Sequence, residues 1–322
     1  MEEHRSDPGQ GDRDHRPEGE ADVAAAAAAL AAGGLVLMPT ETVYGLAADA
    51  ANARAVAAVY EAKGRPSFNP LIAHVTDVAM ARRIARFDAR AEALAARFWP
   101  GPLTLVLPVL DPEAVCDLAR AGLDTVAIRA PGHPLPHALI QALGRPIVAP
   151  SANRSGRPSP TTFADAVEET GKAAAAALDG GPCAIGLEST VVALLDQPRL
   201  LRPGAVTRAE IEAVIGPLSE AEADAKRSPG RLARHYAPNA PVRLDVETPR
   251  PGEAWLSFGP AGQGPWNLSP SGDLHEAATN LFAYLRAADR SQPTAIAVAP
   301  IPHGGLGEAI NDRLRRAAGF VG

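Results

Sequence analysis

Short apolar runs separated by helical segments are the feature that most restricts how this chain can fold. Leu35–Met38 and Leu71–Val75 are bounded by glycine, proline or polar residues and are too short for buried helices, which favours buried strands. Helical patterns lie between such runs, and this alternation predicts an α/β fold. The predicted helices are Asp22–Ala32, Ala50–Ala62, Asp77–Phe98 with a break near Asp88, Pro134–Leu143 and Phe163–Leu178.

Small polar or cationic residues follow at least five of the predicted strands. Loops at strand ends are where α/β proteins build ligand sites, so this recurrence predicts one composite site. The clusters are Pro39–Gly45, Arg129, Ser151–Thr161, Glu188–Val192 and Leu200–Gly204.

The segment Lys63–His74 has the densest mixture of functional groups. Pro66 and Pro70 restrict the backbone, and Gly64 permits close approach to a ligand, so a rigid loop presents cations and an amide. Such a loop suits a polyanion. The alternative is a solvated basic turn before a strand, and the segment alone does not exclude it.

Each of the other candidates also has a structural alternative. Thr42 could cap a helix, His74 could be a core histidine, and Arg129 could be a surface residue at a strand end. Ser151–Thr161 could be a Ser/Pro-rich surface loop. From the residues alone these alternatives stay open.

Composition limits the class of protein. The chain has 322 residues, a net charge of −6 and two cysteines. An acidic total disfavours a mainly electrostatic nucleic-acid binder, although a local basic groove is compatible with it. The cysteines have no metal-ligand spacing, no apolar run could span a bilayer, and the polar start carries no signal-peptide pattern. We therefore expect a cytoplasmic protein without a membrane partner.

The chain divides into four predicted parts. Residues 1–20 are charged and rich in Gly and Pro, which predicts a disordered tail, and residues 21–218 form the main domain. Residues 219–241 form a linker whose Arg234, His235 and Tyr236 are unusual for a linker and suggest a lid. Residues 242–322 alternate again, which predicts a small parallel α/β domain. Its predicted elements are strands Val242–Val246, Ala254–Phe258 and Ala295–Val298 and helices Leu274–Ala288 and Gly307–Ala318.

Taken together and in order, the motifs resemble the YrdC-type threonylcarbamoyl-AMP synthases in their longer, two-domain form. The resemblance covers about Ala21–Gly322. The motifs are Pro39–Leu46, Lys63–His74, Trp99–Thr104, Pro150–Gly156, Glu188–Val192, Leu201–Gly204, Ser228–Gly230 and Arg234–Pro238.

The resemblance implies a fold and a reaction. The core would be a YrdC-like α/β fold around a twisted mixed β-sheet, and the second domain a small Rossmann-like unit joined by the linker. L-threonine, bicarbonate and ATP would give threonylcarbamoyl-AMP and pyrophosphate. The product would pass to a tRNA threonylcarbamoyltransferase for modification of the adenosine beside the anticodon, with at most a weak contact to tRNA.

The resemblance also implies roles for individual residues. Lys63 and Arg65 would be catalytic, and Tyr236 would close over the nucleotide. Mg²⁺ would accompany ATP, held by phosphates and water, with no protein metal site and Glu41 only a candidate ligand. The implied ATP-binding residues are Arg65, Asn69, Thr125, Ser151, Ser159, Arg202 and Tyr236. The implied threonine-binding residues are Thr42, His74, Arg129, Ala149 through its backbone, and Ser189.

Two other functions are alternatives to the synthase. A double-stranded RNA-binding module without catalysis would use the family's basic concave face, but the acidic total and the lack of an aromatic platform count against it. A carbamoyl-transfer domain of hydrogenase maturation would come with zinc-finger and acylphosphatase-like regions, which this sequence does not contain.

Overall fold

A computed structural model describes residues 18–220 and 235–319. Most of the predicted tail and residues 221–234 of the predicted linker therefore lie outside the described residues. Helix α1, Glu18–Ala31, begins inside the predicted tail. The tail prediction is wrong for residues 18–20, where the high helix propensity of the alanine-rich segment extends the helix toward the N-terminus.

Ten strands of the described chain form one mixed sheet, in the order β10-β9-β8-β4-β5-β3-β6-β2-β1-β7. Parallel pairs such as β3 with β5 and β4 with β8 occur together with antiparallel pairs such as β4 with β5. The strands are β1 Val36–Met38, β2 Gly45–Asp49, β3 Ile72–His74, β4 Leu103–Pro108, β5 Thr125–Arg129, β6 Ile147–Val148, β7 Ala176–Ala177, β8 Thr190–Leu194, β9 Pro198–Arg202 and β10 Ser219–Glu220.

Helices flank this sheet, and their ends follow ordinary capping chemistry. Asp77 and Asp88 each accept a backbone hydrogen bond as N-caps, which explains the break predicted near Asp88. Gly64 ends the second helix with φ +59°, a left-handed conformation that favours glycine. The helices are α2 Ala53–Lys63, α3 Val78–Ile84, α4 Ala89–Phe98, α5 Asp117–Arg120, α6 Pro134–Leu143, α7 Phe163–Thr170 and α8 Arg208–Ile215.

A second, smaller sheet follows residue 235. Its four described strands are all parallel, in the order β11-β14-β12-β13. They are β11 Val242–Arg243, β12 Ala254–Ser257, β13 Trp266–Asn267 and β14 Ile296–Val298, accompanied by helices α9 Leu274–Arg290 and α10 Gly307–Ala317.

One long predicted helix is wrong. The segment Phe163–Leu178 is helical only to Thr170, continues as a single 3₁₀ turn, and then supplies strand β7. Ala176 and Ala177 pair with β1 in parallel, so tertiary pairing overrides the helix propensity of an alanine run.

The two faces of the large sheet differ. Most of the core packs on one face together with α1, α2, α4 and α6. The other face carries a small apolar cluster of Ile72, Val106, Ala127, Val191, Ala193 and Leu201. Because strand residues alternate between faces, Thr125 and Arg129 lie on the same face as Ala127. None of the described helices combines the length and apolarity needed to cross a membrane.

Candidate active site

A small cavity gathers most of the predicted site residues. Nine of them line it, namely Thr42, Arg65, His74, Arg129, Ala149, Ser151, Ser189, Arg202 and Tyr236. They come from chain segments up to 194 positions apart, namely the β1–β2 loop, the α2–β3 loop, the ends of β3, β5, β6 and β9, the start of β8, and the linker. The fold therefore converts separate strand-end motifs into one site.

Arg129 is held in a fixed orientation at the end of β5. Its Nε donates to the Gly101 carbonyl at 3.1 Å, Nη1 donates to Thr42 Oγ1 at 2.9 Å, and Nη2 pairs with Glu41 Oε1 at 2.5 Å. Burial alone would raise the pKa of Glu41, but the Arg129 charge and hydrogen bond outweigh burial and lower it. The buried arginine thus has the partner that its position in an apolar strand requires.

His74 lies beside Arg129, because β3 and β5 are paired in register. Its Nδ1 lies 3.1 Å from the Ile72 carbonyl oxygen, which only accepts, so Nδ1 carries the hydrogen and Nε2 is left as an acceptor. Burial and then the Arg129 charge lower the pKa of His74 to about 3. The imidazole is therefore neutral at physiological pH.

Arg202 and Ser189 form the opposite wall. Arg202 donates from Nε and Nη2 to the Ser189 carbonyl at 3.1 and 2.9 Å, and from Nη2 to Ser189 Oγ at 3.1 Å. Ser189 Oγ also lies 2.7 Å from Thr104 Oγ1 on the neighbouring strand β4. Both side chains are buried and fixed before any ligand binds, which lowers the ordering cost of binding.

Glu188, next to Ser189, also lines the cavity, although the sequence gave it no individual role within the Glu188–Val192 cluster. Its Oε1 accepts a short hydrogen bond from Ser159, and its Oε2 accepts from Arg313 Nε at 2.9 Å. Burial would raise the pKa of Glu188, but Arg313 and Arg202 outweigh it and hold the pKa at about 2. The carboxylate is therefore ionised and already fully engaged.

Four predicted site residues do not line the cavity. Lys63 is buried and donates to the carbonyls of Ser151 and Asn153, so it supports the cavity wall from behind. Ser159 is buried and bonded to Glu188. The Asn69 carbonyl accepts from Arg65 Nε at 3.3 Å, and Thr125 starts β5 on the face of the site.

Both parts of the chain match known protein families. Residues 28–204 match the family described as Telomere recombination, the group of Sua5, YciO and YrdC, and residues 206–319 match the Threonylcarbamoyl-AMP synthase, C-terminal domain. The chain belongs to the Sua5–YciO–YrdC family. The resemblance seen in the motifs is thereby confirmed.

Individual members of the Sua5–YciO–YrdC family agree with this assignment. A threonylcarbamoyl-AMP synthase of Bacillus subtilis is 41% identical, over 92% of this chain and 93% of its own length. One from Pyrococcus abyssi is 42% identical, over 89% and 91%. A crystal structure of P. abyssi Sua5 complexed with L-threonine has a TM-score of 0.85 at 40% identity, covering 94% and 95%. The predicted α/β fold with a second α/β domain is confirmed.

Two linker residues complete the site of this Sua5-type chain. His235 and Tyr236 both line the cavity, and their rings lie 4.0 Å apart between centroids. Tyr236 has φ +61°, a left-handed backbone conformation that is rare for an aromatic residue and concentrates at functional sites. Its ring packs 5.3 Å from Phe282 of α9. The sequence pointed to Tyr236, and it marked His235 only as part of an unusual linker.

The cavity that these two side chains help to line is small. Its volume is about 50 Å³, whereas pockets for small-molecule ligands usually measure roughly 300–1,000 Å³. Tyr236 is 1% exposed. The cavity is therefore smaller than a nucleotide and an amino acid together would need.

A larger cavity of about 680 Å³ lies elsewhere, between α9 and the segment around Arg157. None of the predicted site residues lines it. Its arginines are paired, Arg157 and Arg286 with Glu169 and Arg290 with Asp165 and Glu168. We therefore assign the site to the smaller cavity, where chemically different groups converge.

The acidic side chains of the site do not form a metal cage. Glu188 is held by Arg313 and Ser159, and Glu41 gives one oxygen to Arg129 while its Oε2 is buried without a partner in the described chain. Across residues 18–220 and 235–319 there is no group of three or more His, Cys, Asp or Glu that could hold a metal ion. This donor set fits a magnesium ion bound by substrate phosphates and water.

Proposed function

We propose that this chain is a threonylcarbamoyl-AMP synthase, which converts L-threonine, bicarbonate and ATP to threonylcarbamoyl-AMP and pyrophosphate. The observation that supports it most is the charge of the cavity. Arg65, Arg129 and Arg202 line it, while the acidic lining residue Glu188 is already paired with a fourth arginine. Such a cavity favours a polyphosphate together with a carboxylate.

ATP would occupy the side of Arg65 and Arg202. Arg65 is only half-buried and makes two long hydrogen bonds, to the carbonyls of Asn69 at 3.3 Å and Pro70 at 3.2 Å. A guanidinium held so loosely can turn its fork to a phosphate. Asn69, Thr125, Ser151, Ser159 and Tyr236 complete the proposed nucleotide set.

Threonine would occupy the side of Arg129 and His74. Arg129 uses three of its five N–H groups within the chain, so the others are available to the threonine carboxylate. The neutral His74 supplies an acceptor, and Thr42, Ser189 and the Ala149 backbone complete the proposed set. The Pyrococcus structure complexed with L-threonine supports this assignment by its similarity to the chain.

The reaction needs positioning and charge stabilisation rather than a protein nucleophile. The threonine amine forms a C–N bond with bicarbonate carbon and water leaves, which gives a carbamate. A carbamate oxygen then attacks the α-phosphorus of ATP, and pyrophosphate leaves with the electron pair. Arg65 and Arg202 stabilise the charge on the phosphoryl group. Lys63 would act indirectly, through the Ser151–Asn153 turn that it holds.

We propose that Mg²⁺ enters with ATP. It would neutralise charge on the leaving pyrophosphate, as metal ions do in phosphoryl transfer. Phosphate oxygens and water would hold it, since Glu41 and Glu188 are engaged with arginines.

The proposal includes a consumer for the product. Threonylcarbamoyl-AMP is a reactive mixed anhydride, so it must pass quickly to a group-transfer enzyme, here a tRNA threonylcarbamoyltransferase. Direct contact of this chain with tRNA would be weak, because its net charge is −6.

Cys116 and Cys183 are free thiols, which suits a reducing cytoplasm. We propose residues 21–218 as catalytic domain, 219–241 as linker and lid, and 242–322 as second domain.

Pyrophosphate release tests the proposal. The purified chain with ATP, Mg²⁺ and bicarbonate should release pyrophosphate only when L-threonine is added. Arg65→Ala should lower kcat/KM for ATP by about 10- to 100-fold, because a hydrogen bond to a charged group contributes about 1.5–3 kcal/mol.

Arg83→Ala is the matched control, since Arg83 is exposed on α3 away from the cavity. It should keep wild-type kcat/KM. Wild-type protein that releases no threonine-dependent pyrophosphate, yet binds double-stranded RNA in a salt-sensitive way, would refute the synthase and favour the binding module.

A further inference from the structure

Arg313 is a fully buried arginine of the second domain that reaches the wall of the candidate site. It lies on α10 and is 0% exposed. Nε donates to Glu188 Oε2 at 2.9 Å, and Nη1 donates to the Pro203 carbonyl at 2.9 Å and to Asp312 Oδ2 at 2.7 Å. A buried arginine needs such partners, and two of the three belong to the catalytic domain.

The same guanidinium also contacts the lid. Its Cζ lies 5.5 Å from the centroid of the Tyr236 ring, within the range of a cation–π interaction. Tyr236 packs on Phe282 as well, so two residues of the second domain seat its ring.

Glu188 links Arg313 to the nucleotide side of the cavity. One carboxylate oxygen accepts from Arg313 and the other accepts from Ser159 Oγ. An arginine, a carboxylate and a hydroxyl thus form a continuous hydrogen-bonded chain from α10 to a predicted ATP-binding serine. Removal of one end would leave a buried carboxylate short of donors.

We propose that Arg313 is a positioning residue for ATP, which acts by orienting Glu188, and through it Ser159, and by seating the Tyr236 ring. This inference rests on the proposed function for the identity of the nucleotide. It gives the second domain a direct contact with a site whose lining residues all belong to the first domain and the linker.

The other arginine bridges between the domains lie away from the cavity. Arg208 pairs with Glu308 at 3.0 Å, and Arg290 pairs with Asp165 and Glu168. None of these residues lines the candidate site. Arg290 is therefore a control, a half-exposed arginine that joins the same domains without reaching the site.

Direct binding of ATP and of L-threonine, measured by calorimetry, tests the proposal. The variants are Arg313→Met, Glu188→Gln, the double variant and Arg290→Met, each checked for folding by circular dichroism. We expect Arg313→Met and Glu188→Gln each to raise the Kd for ATP by about tenfold, while the Kd for threonine changes less than threefold. The double variant should match Glu188→Gln within twofold, because Arg313 acts mainly through Glu188.

A purely structural bridge predicts another pattern. The Kd for ATP would then stay at the wild-type value in Glu188→Gln, or Arg290→Met would raise it as much as Arg313→Met does, and either result would overturn the proposal. A double variant more than threefold weaker than Glu188→Gln would overturn the route through Glu188. That comparison requires no folded Arg313→Met protein, since the double variant removes both buried charges.

This experiment is separate from the test of the synthase reaction. ATP binding is measured without turnover, so an inactive wild type would refute the proposed function and leave the role of Arg313 measurable. If the wild type is active and the variants bind ATP as tightly as the wild type does, the proposed function is supported and the role of Arg313 is refuted.

Discussion

At the scale of single residues, two buried histidines in the site make the stability of the protein depend on pH. His74 is 2% exposed and His235 is 5% exposed. Burial and then Arg129 lower the pKa of His74 to about 3, and burial together with Arg65 and Lys63 lowers the pKa of His235 to about 3 against the opposing effect of Glu188. Both imidazoles therefore stay neutral in the folded protein at pH values where an unfolded chain takes up protons.

The two depressed pKa values predict that stability falls as pH decreases from 7 to 5. In the unfolded chain a histidine has a pKa of about 6.5, so below it the unfolded state binds protons that the folded state does not. Well below that pH each buried histidine lowers the free energy of unfolding by about 1.4 kcal/mol per pH unit. His74→Gln should remove one of these contributions, measured by urea unfolding at a series of pH values.

The comparison of His74→Gln with wild type isolates His74, because every other titrating group is present in both proteins. The carboxylates with lowered pKa values, Glu41 and Glu188, change the stability only below about pH 4.5, near the ordinary glutamate pKa. His303→Gln, at an exposed site, is the matched control. A His74→Gln protein with the same slope as wild type between pH 7 and 5 would contradict a neutral buried His74.

The sequence predicts that a buried charged residue such as Arg129 needs partners, but it does not identify them. A charged Arg129 at the end of an apolar strand required a buried acceptor, and the structure supplies Glu41 and Thr42. The bond from Ser159 to Glu188 joins residues that meet only after the sheet and the second domain are assembled. Arg313 gave no local signal, because it lies in an amphipathic helix with other arginines.

At the scale of elements, the described end of the linker packs against the site. Tyr236 and His235 line a cavity of about 50 Å³, and Ala237 N donates to the Gly156 carbonyl at 2.7 Å, so residues 235–237 dock on the Ser151–Thr161 segment. A left-handed residue such as Tyr236 costs about 1–2 kcal/mol. Ring packing on Phe282 and Arg313 offsets that cost.

Removal of the tyrosine ring should therefore impair both stability and turnover. Tyr236→Ala should lower the free energy of unfolding by about 3 kcal/mol, since it empties a fully buried aromatic position. It should also lower kcat/KM for ATP at least tenfold, roughly the loss of one good contact. Tyr236→Phe keeps the ring and should retain stability within about 1 kcal/mol. Wild-type kcat/KM in Tyr236→Ala would show that the linker is not a lid.

Elements were predictable where local chemistry and tertiary pairing agree. Asp77 and Asp88 signalled two helix starts, and both are observed. Strand β7 was missed because its alanines favour a helix until β1 pairs with them. Strand β2 was missed because Gly45–Asp49 has no large apolar residue except Leu46, and its pairing with β1 and β6 defines it.

At the scale of the whole molecule, buried contacts join the two domains. Val43 and Leu187 of the first domain share an apolar cluster with Leu281 and Phe282 of α9. At Gly186, with φ +76°, an added Cβ would lie 2.6 Å from the Ala278 carbonyl oxygen, so α9 packs directly on the backbone there. A contact this close favours unfolding of both domains in one transition.

Arg286 provides a test of that cooperativity. It is 4% exposed on α9 and pairs at 3.1 Å with Glu169, whose side chain is 0% exposed. Arg286→Met should lower the free energy of unfolding by about 2 kcal/mol, because it removes a buried hydrogen bond between charged groups, while Glu169 keeps Arg154 and Arg157 as partners. It should also split one calorimetric transition into two. Arg290→Met removes a half-exposed bridge and should cost under about 1 kcal/mol with one transition kept. Equal effects of the two substitutions would show that burial of Arg286 does not couple the domains.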